Sequence, residues 1–330
     1  MLPTLQPVQA DVHDDAQLAQ LVAGRDAVIN LVAVLQGDER RFRHVHVDLP
    51  TRLARACQAA GVKRLVHVSA LGVGANAPSH YLRSKAAGEA ALAAAGLELT
   101  VLRPSVIFGA HDKLLNMFAA LQGLAPFVPL AGADSRYQPV WVDDVAAAIV
   151  RCLDDPATIG QTYECTGPDV YTLRELVRAA GRWAGHERPV FGLPGGLAQL
   201  QARVMEMLPG EPLMSRDNLA SMRVPNVATG TLPGLDALGI RATALSAIAP
   251  LYLGHGQGPA VLDALLAQRP AQPDPGGHAG PVHAGGLGDE GHGAAGAGVG
   301  LQAVRKAVLD GPLEVQEAPH PQLEGQGAAH

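Results

Sequence analysis

Short apolar runs alternate with helical patterns along most of the chain, and this alternation restricts the fold more than any other feature of the sequence. The run "DAVINLVAVL" is apolar on both faces, as the strands of a buried parallel sheet are. "KRLVHVSA" and "LELTVLRPSVIFG" are further candidate strands, and the helical pattern "YLRSKAAGEAALAAAG" separates them. Strands that alternate with helices predict an α/β fold with a parallel sheet.

Other segments extend the pattern in both directions. Residues Pro7 to Val12 form a candidate strand, and a helix is expected to begin near Asp14. A longer helix is predicted from Val47 to Ala60, with Gly61 closing it. The segment "YQPVWVDDVAAAIVRCL" predicts one more strand and helix. A helix from Leu173 to Ala184 then begins a less regular region, which includes the helical pattern "LAQLQARVMEML".

The composition changes at about Pro270, where Gly, Ala, Pro and His become dominant. Such a segment buries too little apolar surface to offset the entropy lost on ordering. We therefore predict a sheet domain over residues 1–168, a smaller and mostly helical lobe over 169–268, and a disordered tail over 269–330. The tail contains a literal G-x-G-x-x-G at Gly291, Gly293 and Gly296. No strand is predicted before it, so we expect no dinucleotide site there.

Charge and cysteine content exclude several classes of protein. The 25 basic and 31 acidic side chains give a net charge of −6 without a basic stripe, so we expect no nucleic-acid partner. The three cysteines form no C-x-x-C pair, which favours a reduced compartment. The most apolar stretch is too short to cross a bilayer. Six of the 13 histidines lie at or after His255 without a fixed spacing, so we expect no metal site. These features predict a cytoplasmic globular protein.

Tyr81 and Lys85 stand four residues apart in the first turn of the predicted helix "YLRSKAAGEAALAAAG". This spacing puts the phenol and the ammonium side by side on one helix face. Tyr-x-x-x-Lys alone is a weak signal, because chance produces it often in chains of this length. The pair is nevertheless a candidate for proton transfer.

Polar groups at two predicted strand ends add to this candidate site. Asp11 and Val12 end the first strand, where the carboxylate either accepts a hydrogen bond from an adenine amine or caps the following helix. Asn30, Leu31, Val32 and Ala33 end the next strand, at the carboxyl edge where such sheets bind ligands. An Asn at such a point is either a ligand or a structural turn residue.

Taken in order, these motifs resemble an extended short-chain dehydrogenase/reductase. Asp-Val, Asn-Leu-x-Ala, a strand ending in Ser, Tyr-x-x-x-Lys and "LRPSVIFG" follow one another on the expected elements. "QPVWVDDVA", "TYECTGPDVYTLREL" and "PLMSRDNLASM" resemble more narrowly the group related to the nucleotide-binding accessory subunit of respiratory complex I. The resemblance runs from about Val8 to about Ala267 and implies a Rossmann-like doubly wound sheet.

The resemblance also implies roles for individual residues. Tyr81 would be the general acid/base, and Lys85 would lower its pKa and hold the nicotinamide ribose. Ser69 would lie beside them, and the backbone of Pro104, Ser105 and Val106 would meet the carboxamide. The implied cofactor is NAD or NADP. The residues that discriminate between the two follow a second strand that this chain does not show.

Two departures from the family pattern bear on function. Ala70 stands where catalytic members carry a Ser or Thr, and Ser69 faces the other way unless the strand end bulges. The first strand, Gly-rich turn, helix and second strand of the family are also missing. We therefore expect an N-terminally truncated sequence with an incomplete NAD(P)-binding domain. It should hold no dinucleotide tightly, since nothing is left to bind the pyrophosphate.

Three functions follow from the resemblance. In the first, hydride passes between NAD(P)(H) and a carbonyl or alcohol of an apolar substrate such as a quinone or isoprenoid. In the second, which Ala70 favours, the chain is a non-catalytic nucleotide-binding assembly or stability factor of a respiratory or quinone-related complex, peripheral to the inner membrane. The third is a nucleotide-sugar epimerase/dehydratase, which needs cations in the C-terminal lobe, where Arg203 is the main one expected.

Overall fold

The computed structural model describes residues 6–207 and 212–254. The strands are β1 (Ala27–Asn30), β2 (Arg64–Val68), β3 (Glu98–Pro104), β4 (Ile107–Phe108), β5 (Val128–Leu130), β6 (Arg136–Tyr137), β7 (Val140–Trp141), β8 (Thr162–Cys165), β9 (Tyr171–Thr172) and β10 (Val190–Gly192). The helices are α1 (Asp15–Val22), α2 (Glu39–Arg43), α3 (Leu49–Ala60), α4 (His80–Ala93), α5 (Lys113–Leu124), α6 (Val142–Asp154), α7 (Leu173–Trp183), α8 (Gly195–Met207), α9 (Arg216–Ser221) and α10 (Leu245–Leu253).

The core of the molecule is a four-stranded sheet in the order β1-β2-β3-β8, and every neighbouring pair is parallel. Leu65 on β2 packs with α1, α3 and α4 on one face of the sheet. Val66, the next residue, packs with α6 on the other face. Alternate residues of one strand therefore enter two separate cores, as the period of two requires. The predicted doubly wound α/β fold is confirmed.

The N-terminal segment differs from the prediction. Residues 6–11 have no regular secondary structure, so the strand expected from Pro7 to Val12 is wrong. A strand exists only where a neighbour pairs with its N–H and C=O groups, and none of the described strands pairs with this segment. The helix expected near Asp14 is confirmed, and Asp14 rather than Asp11 caps it by accepting from the N–H groups of Ala16 and Gln17.

The helix predicted from Val47 to Ala60 begins as a π-helical turn, His44–Asp48, and continues as α3. It ends at Gly61, whose φ of 74° is left-handed as expected. Helix α4 packs against the π-helical turn at Gly88, where an added Cβ would overlap the carbonyl oxygen of His46. Only glycine allows this approach, which fixes the position of α4 over the sheet.

A second core lies beyond the sheet. Helices α5, α7 and α10 pack around Trp141, Leu176 and Ile248, and the small pairs β5–β10 and β6–β9 lie at its border. None of the described helices is long and apolar enough to cross a membrane. The predicted tail over 269–330, with Gly291, Gly293 and Gly296, lies outside the described residues, and the three-part division of the chain stays a prediction.

The contact at Gly88 gives a stability prediction. Gly88→Ala should lower the free energy of unfolding by about 1–3 kcal/mol, because the new methyl group cannot be accommodated without moving α4 or the π-helical turn. Gly196→Ala is the matched control, since Gly196 is also helical but has no atom within 4 Å of an added Cβ. The control should be neutral or up to about 1 kcal/mol more stable. Urea unfolding of both variants measures the difference, and equal effects would contradict the packing at Gly88.

Candidate functional site

The predicted site residues lie at the carboxyl edge of the parallel sheet. Asn30 ends β1, Ser69 follows β2 and Pro104 ends β3, so parallel pairing brings the three strand ends to the same edge. Helix α4 begins beside them. Asp217 of α9 holds its first turn, since its carboxylate accepts from the N–H groups of His80 and Tyr81 at 2.7 and 3.1 Å.

Tyr81 stands in an aromatic corner at the start of α4. Its ring meets those of His46 and Phe42 edge to face, with centroids 5.5 and 6.0 Å apart. None of the described residues forms a hydrogen bond with its hydroxyl group. Burial raises the pKa of Tyr81 to about 12, which is opposite to the lowering that the resemblance implies. Removing the charged phenolate from water therefore destabilises it more than the nearby Lys85 ammonium stabilises it.

Lys85 is buried one turn further along α4, with 2% of its surface exposed. Its Nζ donates to the carbonyl oxygen of Val68 at 2.9 Å. Burial lowers the pKa of Lys85 to about 8, and the nearby Glu89 carboxylate offsets part of this lowering. Near neutral pH the protein thus carries a buried, readily deprotonated ammonium at this edge of the sheet.

The side chain of Asn30 forms hydrogen bonds within the protein. Its Oδ1 accepts from the N–H of Val32 at 3.1 Å, so its Nδ2 must donate to Nδ1 of His67, also at 3.1 Å. A neutral His67 then carries its hydrogen on Nε2, which is buried without a partner among the described residues. Burial lowers the pKa of His67 well below its ordinary value, and Lys85 lowers it further. These bonds support the structural role of Asn30.

His46 is a site residue that the sequence did not single out. Its Nε2 accepts from the N–H of Val34 at 3.1 Å, and its Nδ1 lies 2.8 Å from Oγ of Ser84, which itself donates to the carbonyl of Tyr81. Burial, reinforced by Lys85, lowers the pKa of His46 to about 3. The neutral ring therefore ties the loop after β1 to the first turn of α4.

Ser69 lies on the α4 side of the sheet. Its N–H donates to the carbonyl oxygen of Leu102, and the N–H of Leu71 donates to the carbonyl oxygen of Pro104. The hydrogen bonds between β2 and β3 therefore continue past the end of β2 without a bulge. Alternation then puts Ser69 on the same face as His67 and Ala70 on the opposite face, which is the reverse of the orientation expected from the family pattern. The Ser69 hydroxyl is buried and has no partner among the described residues.

The backbone of Pro104, Ser105 and Val106 is already bonded within the protein. The N–H of Ser105 donates to Cys165, and that of Val106 donates to Oδ1 of Asn226 at 3.1 Å. The hydroxyl of Ser105 donates to the same Oδ1 at 2.6 Å. The expected free backbone donors for a carboxamide are therefore absent from Ser105 and Val106. Asn226 lies 120 residues from Val106, so no local sequence pattern indicates this contact.

The remaining predicted residues come from the first 33 residues of the chain. Asp11 is exposed, and its Oδ1 accepts from the N–H of His13 at 2.8 Å. Leu31 packs in the core between the sheet and α6, and Val32 packs in the core on the other face. Ala33 is half-buried in the loop that follows. Asp11 thus keeps an exposed carboxylate, while Leu31 and Val32 contribute to packing. Within 6–207 and 212–254, no three His, Cys, Asp or Glu side chains are grouped to hold a metal ion.

Three comparisons with known proteins agree with this architecture. Residues 2–156 match a family model described as NAD(P)H-binding. The chain is 34% identical over 239 residues to the NADH dehydrogenase [ubiquinone] 1 alpha subcomplex subunit 9, mitochondrial, of Mus musculus, which covers 71% of this chain and 63% of that protein. It is 29% identical over 192 residues to a ceramide reductase of Caulobacter vibrioides, with 58% and 60% covered.

The structural comparison supports the fold. A nucleoside-diphosphate-sugar epimerase from Staphylococcus aureus superposes with a TM-score of 0.57 over 73% of this chain and 81% of the other, at 16% identity. At that identity the likeness shows the α/β fold alone. The chain spans 63% of the length of the mouse relative, which is less than two thirds.

Lys85 gives a prediction about the pH dependence of stability. Its pKa falls from an ordinary value of 10.5 to about 8 on folding, so the unfolded chain binds more protons between these pH values. The contribution of Lys85 to stability should therefore rise by up to about 3 kcal/mol as pH increases from 8 to 10.5. Below pH 8 the buried charge is costly, and Lys85→Met should be the more stable protein.

Urea unfolding of the natural chain and of Lys85→Met across this pH range measures the effect. The advantage of the variant should shrink as pH rises. A difference that stays constant with pH would show that Lys85 is not a buried amine with a lowered pKa.

Proposed function

From the match of residues 2–156 to a family model described as NAD(P)H-binding, we propose that the chain binds NADH or NADPH as a stabilising ligand. By itself it should bind weakly, because the sequence offers no Gly-rich turn to hold the pyrophosphate. The proposed site is the carboxyl edge of β1, β2 and β3. One observation carries the non-catalytic part of the proposal: Lys85 Nζ donates to the carbonyl oxygen of Val68 and not to Tyr81. Burial also raises the pKa of the Tyr81 hydroxyl to about 12, far from working pH.

Lys85 is the residue that we expect to contribute most to nucleotide binding. A ribose hydroxyl would replace or share the single hydrogen bond that Nζ makes to Val68. Bonds from a charged donor contribute about 1.5–3 kcal/mol each. Asn30 and His46 would act indirectly, because they hold the loop after β1 and the start of α4 in place. The exposed carboxylate of Asp11 is the proposed partner of the adenine amine.

We also propose that the chain is part of a respiratory assembly. The mouse relative is named as a subunit of NADH dehydrogenase, and a partner of that kind would place this chain at a membrane-bound complex. A ligand that binds only the folded state stabilises it in proportion to the logarithm of its concentration. Bound nucleotide would therefore help to keep the chain folded, without any turnover, for as long as it is part of such a complex.

Nucleotide titration tests the binding proposal. We expect Lys85→Met to weaken NADH or NADPH binding by about 10- to 100-fold, because a charged donor to the ribose is lost. Tyr81→Phe should bind within about twofold of the natural chain, since its hydroxyl contributes little to the ground state. Calorimetry of the full chain measures both.

The stability of Lys85→Met serves as the control for this titration. At pH 7 this variant is expected to be the more stable protein, so weaker binding could not be attributed to unfolding. Unchanged binding by Lys85→Met would contradict the proposed place of the ribose.

A second function, the slow reduction of a carbonyl in an apolar substrate, is favoured by Ser69. Its buried hydroxyl has no partner among the described residues and faces the side of the sheet that α4 covers. The similarity to a ceramide reductase is consistent with an apolar substrate. The bound nicotinamide would supply the hydride to the carbonyl carbon. Tyr81 would give its proton to the carbonyl oxygen and regain one from solvent, while Ser69 would donate a hydrogen bond to that oxygen.

Oxidation of NADPH with decanal or a short-chain quinone tests this second function. We expect slow turnover that Tyr81→Phe abolishes and that Ser69→Ala lowers by about 10²–10³, the usual loss of one donor to a developing oxyanion. Ala70→Ser is the matched control, because its added hydroxyl lies on the other face of the strand. If Ala70→Ser accelerated the reaction while Ser69→Ala left it unchanged, Ser69 would not be the donor.

A further inference from the structure

A cavity of about 640 Å³ lies in the C-terminal lobe, apart from Tyr81 and Lys85. Three guanidinium groups line it, those of Arg136, Arg174 and Arg223, together with one carboxylate, that of Asp134. The cavity therefore has an excess of two positive charges, in a chain whose net charge is −6. Arg203, which the sequence indicated as the main cation of this lobe, does not line it.

The pairing of these charges leaves two arginines available. Arg174 donates to Asp134 at 3.2 Å and to the carbonyl oxygen of Val190 at 3.1 Å, which fixes its position in the wall. Arg136 and Arg223 are exposed, and no ion pair or side-chain hydrogen bond holds their guanidinium groups within the described residues. A guanidinium is suited to binding phosphate or carboxylate oxygens through two parallel hydrogen bonds.

Apolar side chains form another part of the wall. Leu193 and Met222 line the cavity with two prolines, and Met222 packs at the same time against the small core formed by α8 and α9. Small-molecule sites typically have volumes of about 300–1,000 Å³, a few polar groups and apolar walls. The volume is much larger than an inorganic anion requires, which leaves room for an organic body.

We propose that this cavity binds a small organic molecule that carries a phosphate group on an apolar body. A phosphate monoester has close to two negative charges at pH 7.5, since its second pKa is about 6, and it matches the excess of two positive charges. Arg136 and Arg223 bind the phosphate, Arg174 shapes its pocket, and Leu193 and Met222 contact the apolar body. This site goes beyond the proposed function and does not require Tyr81 to be catalytic.

Calorimetric titration of the full chain at pH 7.5 and low salt tests the proposal with three probes: geranyl phosphate, geraniol and inorganic phosphate. Geranyl phosphate should bind at least about tenfold more tightly than either of the others, since each of those lacks one half of the expected contacts. Geraniol binding of equal strength would overturn the anionic part of the proposal. Inorganic phosphate binding of equal strength would overturn the apolar part.

Two double variants locate the binding site. Arg136→Gln/Arg223→Gln should bind geranyl phosphate at least about tenfold more weakly, because two charge-assisted contacts are lost. Arg40→Gln/Arg55→Gln removes the same charge outside the cavity and should stay within about twofold of the natural chain. Thermal unfolding checks that both are folded. Equal affinity in the two variants, or no binding of geranyl phosphate by the natural chain, would overturn the proposal.

NADPH distinguishes this cavity from the sheet-edge site. Arg136→Gln/Arg223→Gln should bind NADPH as the natural chain does, while Lys85→Met should keep its affinity for geranyl phosphate. If the arginine variant lost NADPH and geranyl phosphate together, the cavity would be part of the cofactor site and the proposal of a separate site would be wrong.

Discussion

The buried ammonium of Lys85 is the interaction on which the arrangement of the sheet edge depends. An amine with 2% of its surface exposed and one hydrogen bond, to Val68, lies in surroundings that solvate it poorly. A second cation beside it would raise the electrostatic cost of folding further. Both nearby histidines are neutral, since burial and then Lys85 lower the pKa of His46 and of His67. Lys85 is thus flanked by two neutral imidazoles, while the carboxylate of Glu89 lies near enough to offset part of its burial.

Close packing makes this burial possible. Gly88 lets α4 approach the π-helical turn until its backbone meets the carbonyl of His46, and Lys85 lies one turn before Gly88 on the same helix. The extra residue in the π-helical turn shifts the register of the chain between α2 and α3. This turn carries His46, whose two ring nitrogens connect Val34 with Ser84. Three segments that are distant in sequence are thus held at fixed spacing around one imidazole.

Local patterns in the sequence were sufficient to predict the alternation of strands and helices in the parallel sheet. They failed where a feature depends on a distant partner. The alternating segment from Pro7 to Val12 has strand-like composition, but a strand requires a neighbour, and β1 pairs only with β2 among the described strands. Asn226 and Asp217 reach the site across more than 100 residues. Burial decides the direction of the Tyr81 pKa, and the spacing of Tyr81 and Lys85 does not encode it.

The segment from Met222 to Asn226 connects the two regions to which ligands are assigned. Met222, Arg223 and Pro225 line the arginine cavity, while the side chain of Asn226 holds Ser105 and Val106 beside the sheet edge. The backbone of Asn226 also donates to the carbonyl of Arg136 at 2.8 Å, inside the cavity wall. A ligand in the cavity that ordered this segment would therefore also order the backbone after β3, and the reverse holds by thermodynamic reciprocity. Such a coupling would need no rearrangement of the sheet, because residues Met222 to Asn226 contact both regions.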